Sequence, residues 1–165
     1  MSTTDNLKAA FAGESQANRK YLSFAKKADE EGYPQISKLF RAAAVAETVH
    51  AHADFRVLGG VKGTEDNLRT AIEGEREEFK KMYPAFIAEA EKEGHKQALM
   101  SFRFANAVEQ VHYNLYGAAL ESFRQGKDLP NAPIFICGVC GNTVGEVPDR
   151  CPICGAPKAS FTEIK

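Results

Sequence analysis

Two stretches of this chain repeat one another in order. Gly13-Glu14, Tyr21, Phe24, Gly32, Phe40, Glu47 and His50 recur as Gly74-Glu75, Tyr83, Phe86, Gly94, Phe102, Glu109 and His112. A repeat of this kind builds the same supersecondary unit twice. The offset is 61 at the first pair and 62 from the tyrosine onward, so one surplus residue lies between Glu75 and Tyr83. A helix absorbs such an insertion as a π-bulge, a feature common at functional sites.

Each copy divides at its glycine into two helical patterns. Thr3-Thr4-Asp5 caps a first helix that runs to Gly32, and Pro34 opens a second that ends at Gly59-Gly60. Thr64-Glu-Asp-Asn caps a third that ends near Gly94, and a fourth runs from about Lys96 to Gly126. Helices of roughly 25 to 30 residues are long for a globular domain and ordinary for a four-helix bundle. Pro84, inside the third, removes one backbone hydrogen bond and predicts a kink or a widened turn.

The repeated residues carry chemistry. Glu47 and His50 are three apart, as are Glu109 and His112, so each pair projects from one helical face and can grip one metal ion. Glu14 lies 18 residues before Gly32 and Glu47 15 after it; Glu75 lies 19 before Gly94 and Glu109 15 after it. In antiparallel hairpins these heights agree. Phe40, Ala43 and Ala46 flank the second-helix position, and Phe104, Ala105 and Val108 the fourth. A single helical glutamate is ordinarily solvated. Four carboxylates converging in a core repel one another and are costly to desolvate, an objection that two divalent metals remove. Glu78, whose repeat counterpart is Ala17, adds a seventh candidate ligand and breaks the symmetry, whereas Glu77, about 100° away around the helix, belongs to solvent. Mixed carboxylate and imidazole ligation suits Fe or Mn better than Zn, and a bridged pair suits two-electron chemistry with O₂ or peroxide. Tyr21 and Tyr83 occupy matching places, where each either packs in the core or hydrogen-bonds a ligand carboxylate. His52 and His95 read as surface residues.

All four cysteines lie in the last 29 residues, as Cys137-Gly-Val-Cys140 and Cys151-Pro-Ile-Cys154. Five of the seven prolines follow residue 129. We therefore expect a helical domain over 1–126, a proline-stiffened linker over 127–133, and a second domain over 134–165. The last is too short for a self-sufficient core, and two Cys-x-x-Cys pairs supply a tetrahedral metal staple. Each pair is followed by glycine, which permits a tight turn that aims N–H groups at thiolate sulfur. Thiolates alone leave iron and zinc open. Lys and Arg total 21 against 22 Asp and Glu, which argues against a nucleic-acid or anionic-membrane partner. No apolar run approaches a membrane span, and Met1-Ser2-Thr3-Thr4-Asp5 has neither the basic nor the apolar part of a signal peptide, so a cytoplasmic protein is expected.

Gly-Glu-Ser-Gln-Ala at 13–17, Ala-Glu-Thr-Val-His at 46–50, Gly-Glu-Arg-Glu-Glu at 74–78, Met-Tyr-Pro at 82–84, Val-Glu-Gln-Val-His at 108–112 and the two cysteine knuckles together resemble the rubrerythrin family over essentially the whole chain. The resemblance implies an all-α ferritin-like four-helix bundle joined to a small rubredoxin-like β/knuckle domain. It implies two non-haem irons held by Glu14, Glu47, His50, Glu75, Glu78, Glu109 and His112, with Glu47 and Glu109 bridging, and one iron held by Cys137, Cys140, Cys151 and Cys154, where zinc is a possible substitute. The implied activity is reduction of hydrogen peroxide to water in oxidative-stress defence. Glu78 and His50 would exchange as ligands of one iron, and electrons would come from an external donor, rubredoxin or a reductase.

Two other functions fit parts of the pattern. A ferroxidase that oxidises Fe²⁺ for storage shares the carboxylate set but needs no electron input through thiolates, and a zinc-ribbon binding module would be colourless. The implied topology also sets the second and third helices parallel, with facing ends roughly 33 Å apart at 1.5 Å per residue. Gly59-Gly60-Val61-Lys62-Gly63 spans at most about 20 Å. We therefore expect a homodimer with exchanged helix pairs, in which one chain supplies Glu14, Glu47 and His50 and the other supplies Glu75, Glu78, Glu109 and His112.

Overall fold

The computed structural model describes residues 2–165, so Met1, the first residue of the leader reading, lies outside the described residues. The chain divides between Lys62 and Gly63 into two compact units.

The first unit is a hairpin of α1 (Thr3–Glu30) and α2 (Pro34–Val57). The start of α1 is set by Ser2, one residue before the expected cap. Its hydroxyl accepts the Asp5 N–H at 3.1 Å while the Asp5 carboxylate accepts the Ser2 N–H at 2.9 Å, a reciprocal box that satisfies two orphan donors. Pro34 opens α2 as its missing N–H and fixed φ suit a first turn. Small residues let the helices approach: Ala25, Ala28, Ala44 and Ala51 are buried, and Ser37, fully buried, donates to the Ala25 carbonyl at 2.7 Å. Farther along the seam Asn18 donates to the Ala44 carbonyl at 2.7 Å and to Thr48 Oγ1 at 2.8 Å.

In the second unit the expected third helix is divided. An α-helix, α3 (Thr64–Glu77), passes into a π-helical segment (Glu78–Met82) and then into α4 (Tyr83–Lys92). The surplus residue of the repeat is thus housed as a widened turn. Pro84 falls in the first turn of α4, where the absent N–H does least harm. Thr64 does not cap α3; Gly63 holds that position without a side-chain bond, so Thr64 becomes the first helical residue. The other arm is α5 (Lys96–Arg124), whose cap is His95: its Nδ1 accepts the Ala98 N–H at 3.3 Å.

The repeat is visible in three dimensions. Tyr21, Phe24 and Phe40 cluster with centroid spacings of 6.3, 6.2 and 5.6 Å, and Tyr83, Phe86 and Phe102 with 6.1, 6.3 and 5.5 Å.

After α5 the chain forms a three-stranded antiparallel sheet in the order β2-β1-β3, from β1 (Ile134–Cys137), β2 (Thr143–Val144) and β3 (Phe161–Ile164). Its core is Cys137, Cys151 and Ala156, with Ile153 and Phe161 packed against them. So few apolar residues cannot stabilise a sheet without a staple. No helix of the described residues is long and apolar enough to cross a membrane.

Candidate metal centres

Within the first unit, one turn of α1 and one of α2 bring Glu14, Glu47 and His50 together, with one potential ligand atom from each inside 4.8 Å of the others. His50 Nδ1 lies 3.1 Å from Glu47 Oε2, as the three-residue spacing dictates. The two carboxyl groups share a hydrogen bond that pushes Glu14 above the usual carboxylate range and pulls Glu47 below it, His50 adding to the latter. One proton held between two glutamates is what a metal-binding pair does in place of its cation.

Within the second unit, Glu75 on α3 meets Glu109 and His112 on α5 in the same arrangement. His112 Nδ1 lies 3.0 Å from Glu109 Oε2 and 3.7 Å from Glu75 Oε1. Burial, reinforced by the negative charges of Glu109 and Glu78, raises Glu75 to about 7. Glu78, the first residue of the π segment, is raised by burial and then by Glu109, and lowered by His112; it therefore stands within the field of this cluster. Tyr83 is raised by burial and by Glu109, Glu78 and Glu75, which keeps its phenol protonated beside three carboxylates. Glu77 turns away and pairs with Lys81 at 2.8 Å, and His52 is exposed, both as expected. Ala46, expected to wall the first cluster, faces solvent instead.

The third group is Cys137, Cys140, Cys151 and Cys154. Two identical knuckles hold it. Gly141 and Gly155 take φ of +86° and +76°, which only glycine adopts without strain, and their N–H groups bond the carbonyls of Cys137 and Cys151, each at 2.8 Å. The Sγ atoms of Cys137 and Cys154 are 3.7 Å apart and those of Cys140 and Cys151 3.6 Å. A tetrahedron with metal–sulfur bonds of ~2.3 Å has edges of about 3.8 Å, so the four sulfurs fit a tetrathiolate ion. Burial pushes Cys140 and Cys154 up, whereas at Cys151 burial is outweighed by the N–H groups of Cys154 and Ile153 together with hydrogen bonds from the Cys140 and Cys154 thiols, which bring it down to about 6. Asn142, 2% exposed, aims Nδ2 at Cys151 Sγ, 3.8 Å away. No periodicity or motif marks Asn142 and Thr143; their one signal in the sequence is position, directly after Cys140-Gly141.

Helical hairpins carrying paired carboxylate–histidine clusters, followed by a knuckle sheet with four convergent thiolates, define a ferritin-like metalloprotein with a rubredoxin-like domain. The rubrerythrin family profile matches residues 5–120, and that of the rubrerythrin rubredoxin-like domain matches residues 135–162. Rubrerythrin-2 of Clostridium acetobutylicum is 37% identical over 96% of this chain and 95% of its own, and nigerythrin of Nitratidesulfovibrio vulgaris 40% identical over 98% and 86%. A solved structure, the partially reduced state of nigerythrin, superposes with a TM-score of 0.59 at 36% identity, covering 99% of this chain and 87% of that one. The chain belongs to the rubrerythrin family. It carries the residue set of that family's two-iron centre and of its rubredoxin-like iron centre.

Proposed function

We propose that this protein reduces hydrogen peroxide to water at a di-iron centre, with electrons arriving singly through an iron held by the four cysteines. Glu14, Glu47, His50, Glu75, Glu78, Glu109 and His112 would hold the two irons, with Glu47 and Glu109 as the bridging pair that the family resemblance implies. The all-ferrous state in which nigerythrin has been solved supports iron as the metal. When bound, two ferrous ions supply the two electrons that, with two protons, convert one H₂O₂ to two waters.

The chain's own residues set the conditions for that chemistry. Glu75, about 7 without metal, exchanges a proton near neutral pH. Tyr83 keeps its phenolic proton and can donate it in a hydrogen bond to a ligand carboxylate, the role Tyr21 fills in the other hairpin. Glu78 and His50 would be the alternative ligands of one iron, an assignment favoured by the side-chain exposure of His50, 59% against 27% for His112.

The reading includes a cytoplasmic homodimer with exchanged hairpins, each centre drawing Glu14, Glu47 and His50 from one chain and the remaining four ligands from the other. Two features support it. The boundary between compact units falls in the short glycine-rich connection, and α2 leaves Leu39 and Val49 exposed at 69% and 60%, apolar area that a second hairpin would cover. An external rubredoxin or reductase supplies electrons.

The observation that carries the function is one chain holding both the doubled carboxylate–histidine cluster and the tetrathiolate geometry. The test is anaerobic reduction followed by rapid mixing. Reoxidation by H₂O₂ should be much faster than by O₂; faster reoxidation by O₂ would install the ferroxidase reading instead. A colourless oxidised protein would point to zinc in the four-cysteine site.

A further inference from the structure

Strand β2 lies between two sites. Successive side chains of an extended segment point to opposite faces, and here the consequence is chemical. Asn142 turns inward to Cys151 Sγ, while Thr143 turns the other way and places Oγ1 3.0 Å from His112 Nε2. These two contacts, on adjacent residues, connect a cysteine of the knuckle domain to a histidine of α5 within one compact unit.

The Thr143 hydroxyl stands between two partners, the His112 ring and a backbone carbonyl. Thr143 has one hydroxyl proton, and the Gly141 carbonyl, 3.2 Å away, can accept it. A metal ion on Nδ1 requires the ring hydrogen on Nε2, and Oγ1 is then placed to accept it while its own proton goes to Gly141. That tautomer leaves the Nδ1 lone pair facing Glu109 and Glu75, the side on which a metal binds. Packing reinforces the contact: Val108, 3% exposed and one turn before His112, lies beneath Gly141, where an added Cβ would stand 3.7 Å from Val108 Cγ1.

We propose that Asn142 and Thr143 are positioning residues that fix the four-cysteine site against the His112 end of the carboxylate cluster. Thr143 selects the metal-binding tautomer of His112, and the Asn142–Thr143 peptide is the route by which an electron passes between the sites. In that step one ferrous ion held by the thiolates becomes ferric and one ferric ion held at His112 becomes ferrous; no bond is made or broken. Asn142 has a second effect, because a donor to a thiolate sulfur favours the more negative, reduced site and so raises its potential.

The inference rests on the di-iron peroxidase reading, and the experiment separates the two. Fully reduced, iron-loaded protein is mixed with H₂O₂ while the absorbance of the ferric tetrathiolate is followed. In the unmodified chain that colour should rise after the di-iron centre is oxidised; if it does not, the peroxidase reading fails. Thr143→Val should slow the rise by about tenfold or more, and Thr143→Ser should restore it to within about twofold. An unchanged rate in Thr143→Val, or no rescue by serine, overturns the bridge. A redox titration should place the four-cysteine potential lower in Asn142→Ala and unaltered in Thr143→Val; an unaltered potential in Asn142→Ala overturns its role. Independently of peroxide, protein loaded with zinc alone should give a nuclear Overhauser contact between the Thr143 methyl and the His112 ring, and its absence overturns the docking.

Discussion

The two hairpins derive from one pattern but differ in how tightly they hold their metal-binding residues. Both place a histidine Nδ1 about one hydrogen bond from the glutamate three residues before it, 3.1 Å in the first and 3.0 Å in the second, and both carry the same aromatic triad. In the first hairpin His50 stands largely in solvent. In the second, His112 has a neighbour at each ring nitrogen, Glu109 Oε2 3.0 Å from Nδ1 and Thr143 Oγ1 3.0 Å from Nε2, and a π turn adds Glu78 to the field of the cluster. Duplication supplies equivalent ligands, and their surroundings differ: His50 is 59% exposed and His112 27%.

The largest test of this comparison removes the common element. Glu47→Ala and Glu109→Ala should each lower iron affinity of the cluster by more than about a hundredfold, since each would delete a proposed bridge and leave its partner glutamate unbalanced. Iron content after dialysis measures it. Co-refolding the two variants should recover peroxidase activity in an exchanged dimer, where one centre lacks both bridges and the other is intact. No recovery in verified heterodimers would refute the exchange.

Next in size is the separation of the halves from their electron supply. Cys137→Ser should abolish steady-state turnover with a rubredoxin-linked donor yet leave one turnover of the chemically reduced di-iron centre. Loss of both would mean that the knuckle domain supports the bundle structurally.

A smaller effect probes the asymmetry itself. Glu78→Ala should keep both irons and slow the redox cycle by about tenfold, because His50 must then serve both oxidation states. Iron loss equal to that of Glu47→Ala would refute the exchange of ligands.

The smallest is a pH dependence of the metal-free protein. Glu75 is raised from 4.5 to about 7 in the folded chain, so the fold holds a proton that the unfolded chain releases. That contribution to stability is complete below about pH 4.5 and is lost as pH rises through about 7. Thermal melting of metal-free protein should therefore show a decline with rising pH that Glu75→Gln lacks; identical pH profiles would count against it.

Local covalent pattern determined a good deal of this molecule. Helical periodicity, the glycine turns, the surplus residue that became the π segment and the spacing of the carboxylate, imidazole and thiolate ligands are all properties of neighbours along the chain, so one sequence suffices to read them. Where an end effect was involved, reading was less secure: Ser2 rather than Thr3 caps α1, and Gly63 rather than Thr64 precedes α3, because a cap depends on one hydroxyl's geometry rather than on a pattern. Tertiary structure alone decided the rest. Thr143 meets His112 across 31 positions of chain, and Asn142 meets Cys151 across nine. Neither has a periodicity to reveal it, because a hydrogen bond between distant residues exists only after the backbone has been folded around both.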